Sequence, residues 1–151
     1  MSLDNMIAAT GTLLAAVNGV GANVHTYERW AADEARFKEL FVDGGKVLGW
    51  TITREKSKSV DYINTTSLDA HEIVIRGWMS LSDAEGTERT FQQLIEAIRD
   101  AFQNNRRLVV AGVSKATDSD RIEVRIVEPR MFAGILCHYC ELVLRAKEFV
   151  H

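Results

Sequence analysis

The stretch HEIVIRGWMSLSDAEGTERTFQQLIEAIRDAF, residues 71–102, contains an alternating segment, an acidic turn and a helical segment in direct succession. Its first ten residues predict a β-strand with one covered face, because apolar and polar side chains alternate. The apolar face carries Ile73, Ile75 and Met79, and the polar face carries Glu72, Arg76 and Ser80. From Thr87, the candidate helix cap, apolar residues recur at helical spacing, at Phe91, Leu94, Ile95, Ile98 and Phe102. The stretch therefore predicts an amphipathic helix next to a half-covered sheet.

The residues before this stretch predict further elements of both kinds. Apolar residues at helical spacing between residues 3 and 17 predict an N-terminal helix, with Asn18-Gly19 as its stop. Residues 23–27 have strand character, and residues 31–41 indicate a short charged helix. Residues 47–53 alternate as a strand and continue into the polar run Arg54–Ser59, which we interpret as a solvated hairpin arm.

The residues after the central helix predict a second long hairpin. The helix is expected to end at Asn104-Asn105, and alternation at Ile122, Val124 and Ile126 follows the polar loop at residues 114–120. We expect a turn at Glu128–Arg130 and then a long final strand, whose apolar face is predicted to hold Phe132, Leu136, Cys140, Leu142 and Leu144. The predicted class is α+β: an antiparallel or mixed sheet with long hairpins, packed by the N-terminal helix and the central amphipathic helix.

Composition is typical of one globular domain, which we expect to span residues 1–151. The chain has one proline, 46% hydrophobic residues and 26% charged residues. Its net charge is −3 and its basic residues are dispersed, which disfavours a nucleic-acid-binding role. The apolar N-terminal segment has no Lys or Arg and is interrupted by Thr10, Thr12 and Asn18, so we expect a cytoplasmic protein without a signal peptide.

The segment Cys137-His138-Tyr139-Cys140 superficially suggests a zinc or redox site. Side chains three apart on a strand point to opposite faces, so the two thiols are predicted to be separate buried side chains. His25, His71 and His138 lie on different predicted elements, so they would form a metal site only if the tertiary fold happened to bring the three side chains together.

Two other motifs also have plain structural explanations. Asp83 and Glu85 precede the central helix, where carboxylates favour the helix dipole. The run Gly19–Val24 follows a helix and lacks the third glycine of a dinucleotide loop, so it predicts a turn. We therefore expect no catalytic residue, no cofactor and no metal ligand, and a protein that is not an enzyme.

The tryptophans and the polar arm are the candidates for a contact surface. Trp50 and Trp78 lie in neighbouring predicted strands and Trp30 lies at an element boundary; each could pack in the core or anchor a subunit interface. The arm could be mobile, or it could lie against a neighbouring subunit. The tentative interface residues are Trp50, Arg54, Lys56, Lys58 and Trp78.

The strand, acidic turn and helix at residues 71–83 and 90–102, with the flanking elements in their order, resemble the tail terminator proteins of long-tailed bacteriophages and their tail-completion and neck relatives. The resemblance implies a small α+β subunit of a homohexameric ring at the head-proximal end of the tail. Such a ring stops growth of the tail tube and presents a surface to the neck or head-completion protein. It would be acidic, so DNA would pass through its lumen without specific binding.

The resemblance further implies a virion protein that is assembled in the host cytoplasm and has no active site and no membrane contact. Three alternatives stay open. The first is a head-completion or neck protein of the same assembly. The others are a small metal-binding α+β protein and an adaptor that binds a partner through a sheet edge.

Overall fold

The computed structural model describes residues 2–27, 29, 34–43, 46–63, 66–82, 84–105, 118–119 and 121–150. The expectations for Trp30, Asp83 and most of the loop at 114–120 fall outside these ranges. Three helices and seven strands are formed by the described residues. In chain order they are α1 Ser2–Ala16, β1 Val24–His25, α2 Glu34–Glu39, β2 Val42–Asp43, β3 Lys46–Ile63, β4 Thr66–Ser80, α3 Thr87–Gln103, β5 Asp118–Ser119, β6 Glu123–Phe132 and β7 Ile135–Val150.

The strands form one mixed sheet with the order β1-β3-β4-β7-β5, with β6 beside β7 and β2 beside β3. Two long antiparallel hairpins, β3–β4 and β6–β7, provide most of it, and β1 is the parallel member. The two hairpins join through β4 and β7, which pair from Ser67↔Val150 to Ser80↔Cys137. The predicted α+β class, with long hairpins and two packing helices, is confirmed.

The main core lies between one face of the sheet, here called the helix face, and helices α1 and α3. The helix α3 has its apolar stripe where the periodicity predicts it, and five residues of that stripe are buried. The sheet contributes side chains of alternate residues, as expected from the pleat. The largest fully buried core side chains are Met6, Leu14, Trp50, Ile52, Ile73, Ile75, Phe91, Ile95, Ile98 and Phe102.

The opposite face, here called the open face, carries a smaller apolar group at one end. This end cluster consists of Phe41, Val47, Phe132 and Cys137, with Trp78 partly buried against it. Phe41 contacts Trp78 edge to face, with ring centroids 5.3 Å apart. Farther along the open face, Arg76 on β4 is paired with Glu141 on β7, and the buried Val74 is paired with Val143.

Several local predictions at the second hairpin are wrong. Glu128–Arg130 lies within β6, and the chain reverses at Ala133-Gly134, where φ is 49° and 80°. Phe132 consequently ends β6 and packs in the end cluster, not on the core face predicted for the last strand. Leu136 shares that face with Cys140 and Leu142 as predicted, but near the start of β7 it is 46% exposed. A two-residue turn with two positive φ angles matches the twist of antiparallel strands better than a proline-containing bend.

The predicted cap of α3 is also wrong. The capping position is Gly86, with φ 67°, and no side chain bonds the exposed amides there. The Thr87 hydroxyl instead accepts a hydrogen bond from the Ser82 amide at 2.8 Å. The predicted helix end is confirmed, since Asn104 is the C-terminal cap.

Candidate functional site

The open face carries a charged network of Glu55, Arg76, Arg125 and Glu141, drawn from four different strands. Arg125 on β6 donates two hydrogen bonds to the Glu55 carboxylate, at 3.0 and 2.8 Å. It also donates to Glu141 from two nitrogens, at 3.0 and 2.6 Å. Arg76 lies 3.8 Å from Glu55 and 4.0 Å from Glu141. A planar guanidinium group that donates two parallel hydrogen bonds to one carboxylate fixes the relative orientation of the two side chains.

Glu55 lies in this network at a position where β3 is irregular. The register steps from Arg54↔Ile73 to Lys56↔Glu72, which leaves Glu55 without a paired residue. Alternation from Thr53, which accepts a hydrogen bond from Arg76, already places Glu55 on the open face. The extra residue changes the face of the residues that follow, so that Ser57 lies beside His71.

The network keeps its carboxylates ionised. Burial alone would raise the pKa of Glu141, but hydrogen bonds from Tyr139 and Arg125 outweigh it and lower that pKa. The hydrogen bond from Arg125 also lowers the pKa of Glu55, and burial together with Glu141 raises the pKa of Tyr139. The site is thus a set of mutually neutralising charges.

Trp50 and Trp78 lie on opposite faces of the sheet. Trp50 has no exposed surface, its indole N–H donates to the Val20 carbonyl at 2.9 Å, and its ring stacks near Phe91. Of the two alternatives for Trp50, packing in the core is therefore the one realised. Trp78 is half-buried on the open face, with its ring centroid 5.3 Å from that of Tyr139, and it retains surface for a further contact.

The other three interface candidates lie together on the outer strand β3. Arg54, Lys56 and Lys58 are exposed and are here called the basic edge. Lys56 and Lys58 pair with Glu72 and Ala70 of β4, and they border a shallow groove that also includes Arg145 and Lys147. The structure therefore brings these three candidates together and separates them from Trp50.

The CHYC segment has the buried, two-faced arrangement that strand geometry predicts. Cys137 packs in the end cluster and Cys140 in the main core, and both are free thiols. Burial raises the pKa of Cys137 to about 11 and that of Cys140 to about 12. Both side chains therefore remain protonated at neutral pH, and a thiol in that state is a weak nucleophile and a weak metal ligand.

The three histidines have separate environments. His25 bonds the Leu40 carbonyl at 2.7 Å, and His138 bonds the Thr87 hydroxyl at 2.8 Å and stacks on Phe91. His71 has different neighbours: Glu148 on β7 and Asp69 two residues earlier on β4. Ligand atoms of these three side chains lie within 4.8 Å of one another. We call this set the carboxylate–histidine cluster.

Sequence reasoning missed this cluster, although it singled out His71. Asp69 and Glu148 are paired positions on β4 and β7. The alternation around His71 could have placed Asp69 on the same face, since the two residues are two positions apart. The partner Glu148 follows only from the strand register, which no local pattern specifies.

No protein-family model and no curated protein sequence matches this chain. Among the helices in the described ranges, none has both the length and the apolar character needed to cross a membrane.

Proposed function

We propose that this chain is a structural virion protein, a tail terminator of a long-tailed bacteriophage. In this proposal six copies form a ring that caps the tail tube and joins it to the head–neck complex. The observation that best supports it is that, among the described strands, β3 and β6 each have a side without a paired strand and carry different charges there.

The first open edge belongs to β3. Its outer side is paired with β2 and β1 only as far as Thr51, and beyond that point none of the described strands pairs with it. This open part contains the basic edge, Arg54, Lys56 and Lys58. An unpaired strand edge offers its backbone N–H and C=O groups to another strand.

The second open edge belongs to β6, on the other side of the sheet. β6 pairs with β7 along one side, and no strand within the described ranges covers its other side. Glu123 and Glu128 are exposed along it. Glu123 and Glu128 could therefore meet the basic edge of a neighbouring copy.

Unlike edges on opposite sides of one subunit support a head-to-tail arrangement. Such contacts are heterologous, and they close into a ring when the rotation between neighbours divides a full turn. Contact between β6 of one copy and β3 of the next would repeat around the ring. It would leave the open face, with Trp78 and the charged network, available to the tube or the neck protein.

The chemistry of the described residues is in keeping with a structural role. Their strongest ionic groups neutralise one another, and the two thiols are buried and protonated. A ring that ends a tube needs complementary surfaces and no reaction centre.

The test is the native mass of the purified protein by light scattering or native mass spectrometry, followed by negative-stain images. We expect a mass six times that of the 16.9 kDa chain and ring-shaped particles that bind to one end of tail tubes. The variants Lys56→Glu and Lys58→Glu should weaken ring formation at least tenfold, because they place like charges opposite Glu123 and Glu128.

The matched control is Arg89→Glu, which makes the same charge change at an exposed position of α3 away from both edges. It should leave the ring intact. A stable monomer that does not assemble on tubes, or a ring unaffected by both lysine reversals, would contradict the edge-to-edge arrangement. A ring that binds heads but not tubes would favour the head-completion or neck alternative.

A further inference from the structure

The carboxylate–histidine cluster has the composition and the placement of a metal site. His71 and Glu148 are almost fully buried, at 6% and 5% exposure, and Asp69 is half-buried beside them. The structure describes no other group of three metal-ligating side chains that converges in this way. The cluster is distinct from the charged network, because Asp69, His71 and Glu148 point to the helix face.

The imidazole of His71 is oriented as a metal-bound imidazole is. Its Nδ1 atom lies 2.7 Å from the Ser57 hydroxyl, and its Nε2 atom lies 3.2 Å from Glu148 Oε1. When Nδ1–H donates to Ser57, the lone pair of Nε2 is directed at the carboxylates. In metal sites, a hydrogen bond at the second ring nitrogen usually orients the histidine in this way.

The distances between the ligand atoms are close to those around a tetrahedrally coordinated zinc ion. Bonds of about 2.1 Å from zinc to nitrogen or oxygen place ligand atoms roughly 3.4 Å apart. The Nε2–Oε1 separation of 3.2 Å already meets this value, and all three ligand atoms lie within 4.8 Å. Asp69 needs a movement of at most about 1.4 Å, the difference between 4.8 and 3.4 Å. The Ser59 hydroxyl, which donates to its carboxylate at 2.6 Å, would orient it.

The charges of the three cluster side chains also favour a cation. Two carboxylates lie beside one imidazole, and in the described part of the chain His71 is the hydrogen-bond partner of Glu148. A buried carboxylate needs a compensating positive charge or several hydrogen bonds. A divalent cation would compensate both carboxylates at once.

We propose that Asp69, His71 and Glu148 bind one divalent transition-metal ion, with Zn²⁺ as the best fit. One imidazole nitrogen with two carboxylate oxygens suits zinc better than magnesium or calcium, which prefer oxygen ligands alone. Three protein ligands leave a fourth position for water or for a group from another molecule. The ion would join β4 to β7 near the basic edge and so hold the two hairpins together there. This proposal does not depend on the ring.

The first test is titration of metal-free wild-type protein with Zn²⁺ by calorimetry, with a chelator competition to measure tight binding. We expect one ion per chain with a dissociation constant of about 1 μM or tighter. Absence of binding at about 100 μM Zn²⁺ would overturn the proposal.

The variants His71→Gln, Asp69→Asn and Glu148→Gln keep the side-chain size and remove a ligand or its charge. Each should weaken zinc binding at least a hundredfold, and far-UV circular dichroism should show an unchanged fold. The controls His25→Gln and His138→Gln alter histidines outside the cluster and should bind zinc as the wild type does. Equal binding by His71→Gln, or loss of binding in a control, would refute the assignment.

X-ray absorption on zinc-loaded wild-type protein identifies the ligand atoms without any substitution. We expect one imidazole and otherwise oxygen ligands at about 2.0–2.2 Å. A zinc–sulfur distance of about 2.3 Å would place the ion at Cys137 or Cys140 instead and overturn the proposal. The native mass, measured with and without a chelator, shows whether the ring forms and whether it needs the metal ion. The ring and the zinc site are therefore tested independently of each other.

Discussion

The contact between Gly77 and Trp50 predicts that the substitution Gly77→Ala strongly destabilises the fold. A Cβ atom at Gly77 would lie 2.3, 2.4 and 3.0 Å from three carbon atoms of the Trp50 ring. Non-bonded carbon atoms are normally about 3.5–4.0 Å apart. The ring or the strand would therefore have to move by more than 1 Å, since the nearest separation falls short by roughly that amount.

The Trp50 ring has little freedom to make this movement. It is fully buried, its N–H bonds the Val20 carbonyl at 2.9 Å, and it stacks against Phe91 with centroids 6.3 Å apart. Overpacking of a core costs about 1–3 kcal/mol, and loss of the indole hydrogen bond adds about 0.5–1.5 kcal/mol. We expect Gly77→Ala to lower the free energy of unfolding by about 2–4 kcal/mol.

The assay is urea unfolding followed by far-UV circular dichroism, at a concentration where light scattering detects one species. A double-mutant cycle isolates the contact. Trp50→Leu alone should cost about 2–4 kcal/mol because it leaves a cavity. With Gly77→Ala added, the new methyl group occupies part of that cavity, so the double variant should be at least about 1 kcal/mol more stable than the two single effects predict.

Two results would refute this reasoning. A Gly77→Ala variant within about 0.5 kcal/mol of wild type would mean that the strand accommodates the methyl group without strain. Strict additivity in the cycle would mean that the loss arises elsewhere than at the Trp50 ring.

Two further predictions concern the charged network and the β6–β7 turn. The pKa of Glu141 is lowered in the folded protein, so its contribution to stability is present above the unfolded pKa of about 4.5 and is lost as the pH falls below that value. In Glu141→Gln the melting temperature should therefore fall less between pH 5 and pH 3 than in the wild type. An equal fall in both proteins would argue against the network. Ala133 has φ 49° and precedes Gly134, so Ala133→Asn should raise the free energy of unfolding by about 0.5–1 kcal/mol in urea titrations, and no gain would show that the turn tolerates alanine without cost.

The amino-acid sequence determined the elements and their buried sides. The helical spacing from Phe91 to Phe102 and the alternation from Ile73 to Met79 are local patterns, and both are realised in α3 and β4. The opposite placement of Cys137 and Cys140 also followed from the two-residue period of a strand. Such patterns are readable because a helix or strand exposes and buries its own near neighbours in a fixed order.

Only the tertiary structure decided which distant residues meet. Glu55 meets Arg125 because the sheet order places β3, β4, β7 and β6 side by side. His71 meets Glu148 across 77 residues of chain because β4 and β7 share one register. Trp50 lies in the core and Trp78 is half-buried on the open face, because β3 and β4 pair Trp50 with Gly77, the neighbour of Trp78. A shift of one residue in strand register would move every side chain of that strand to the other face of the sheet. The register therefore depends on how whole faces pack, and no local segment specifies it alone.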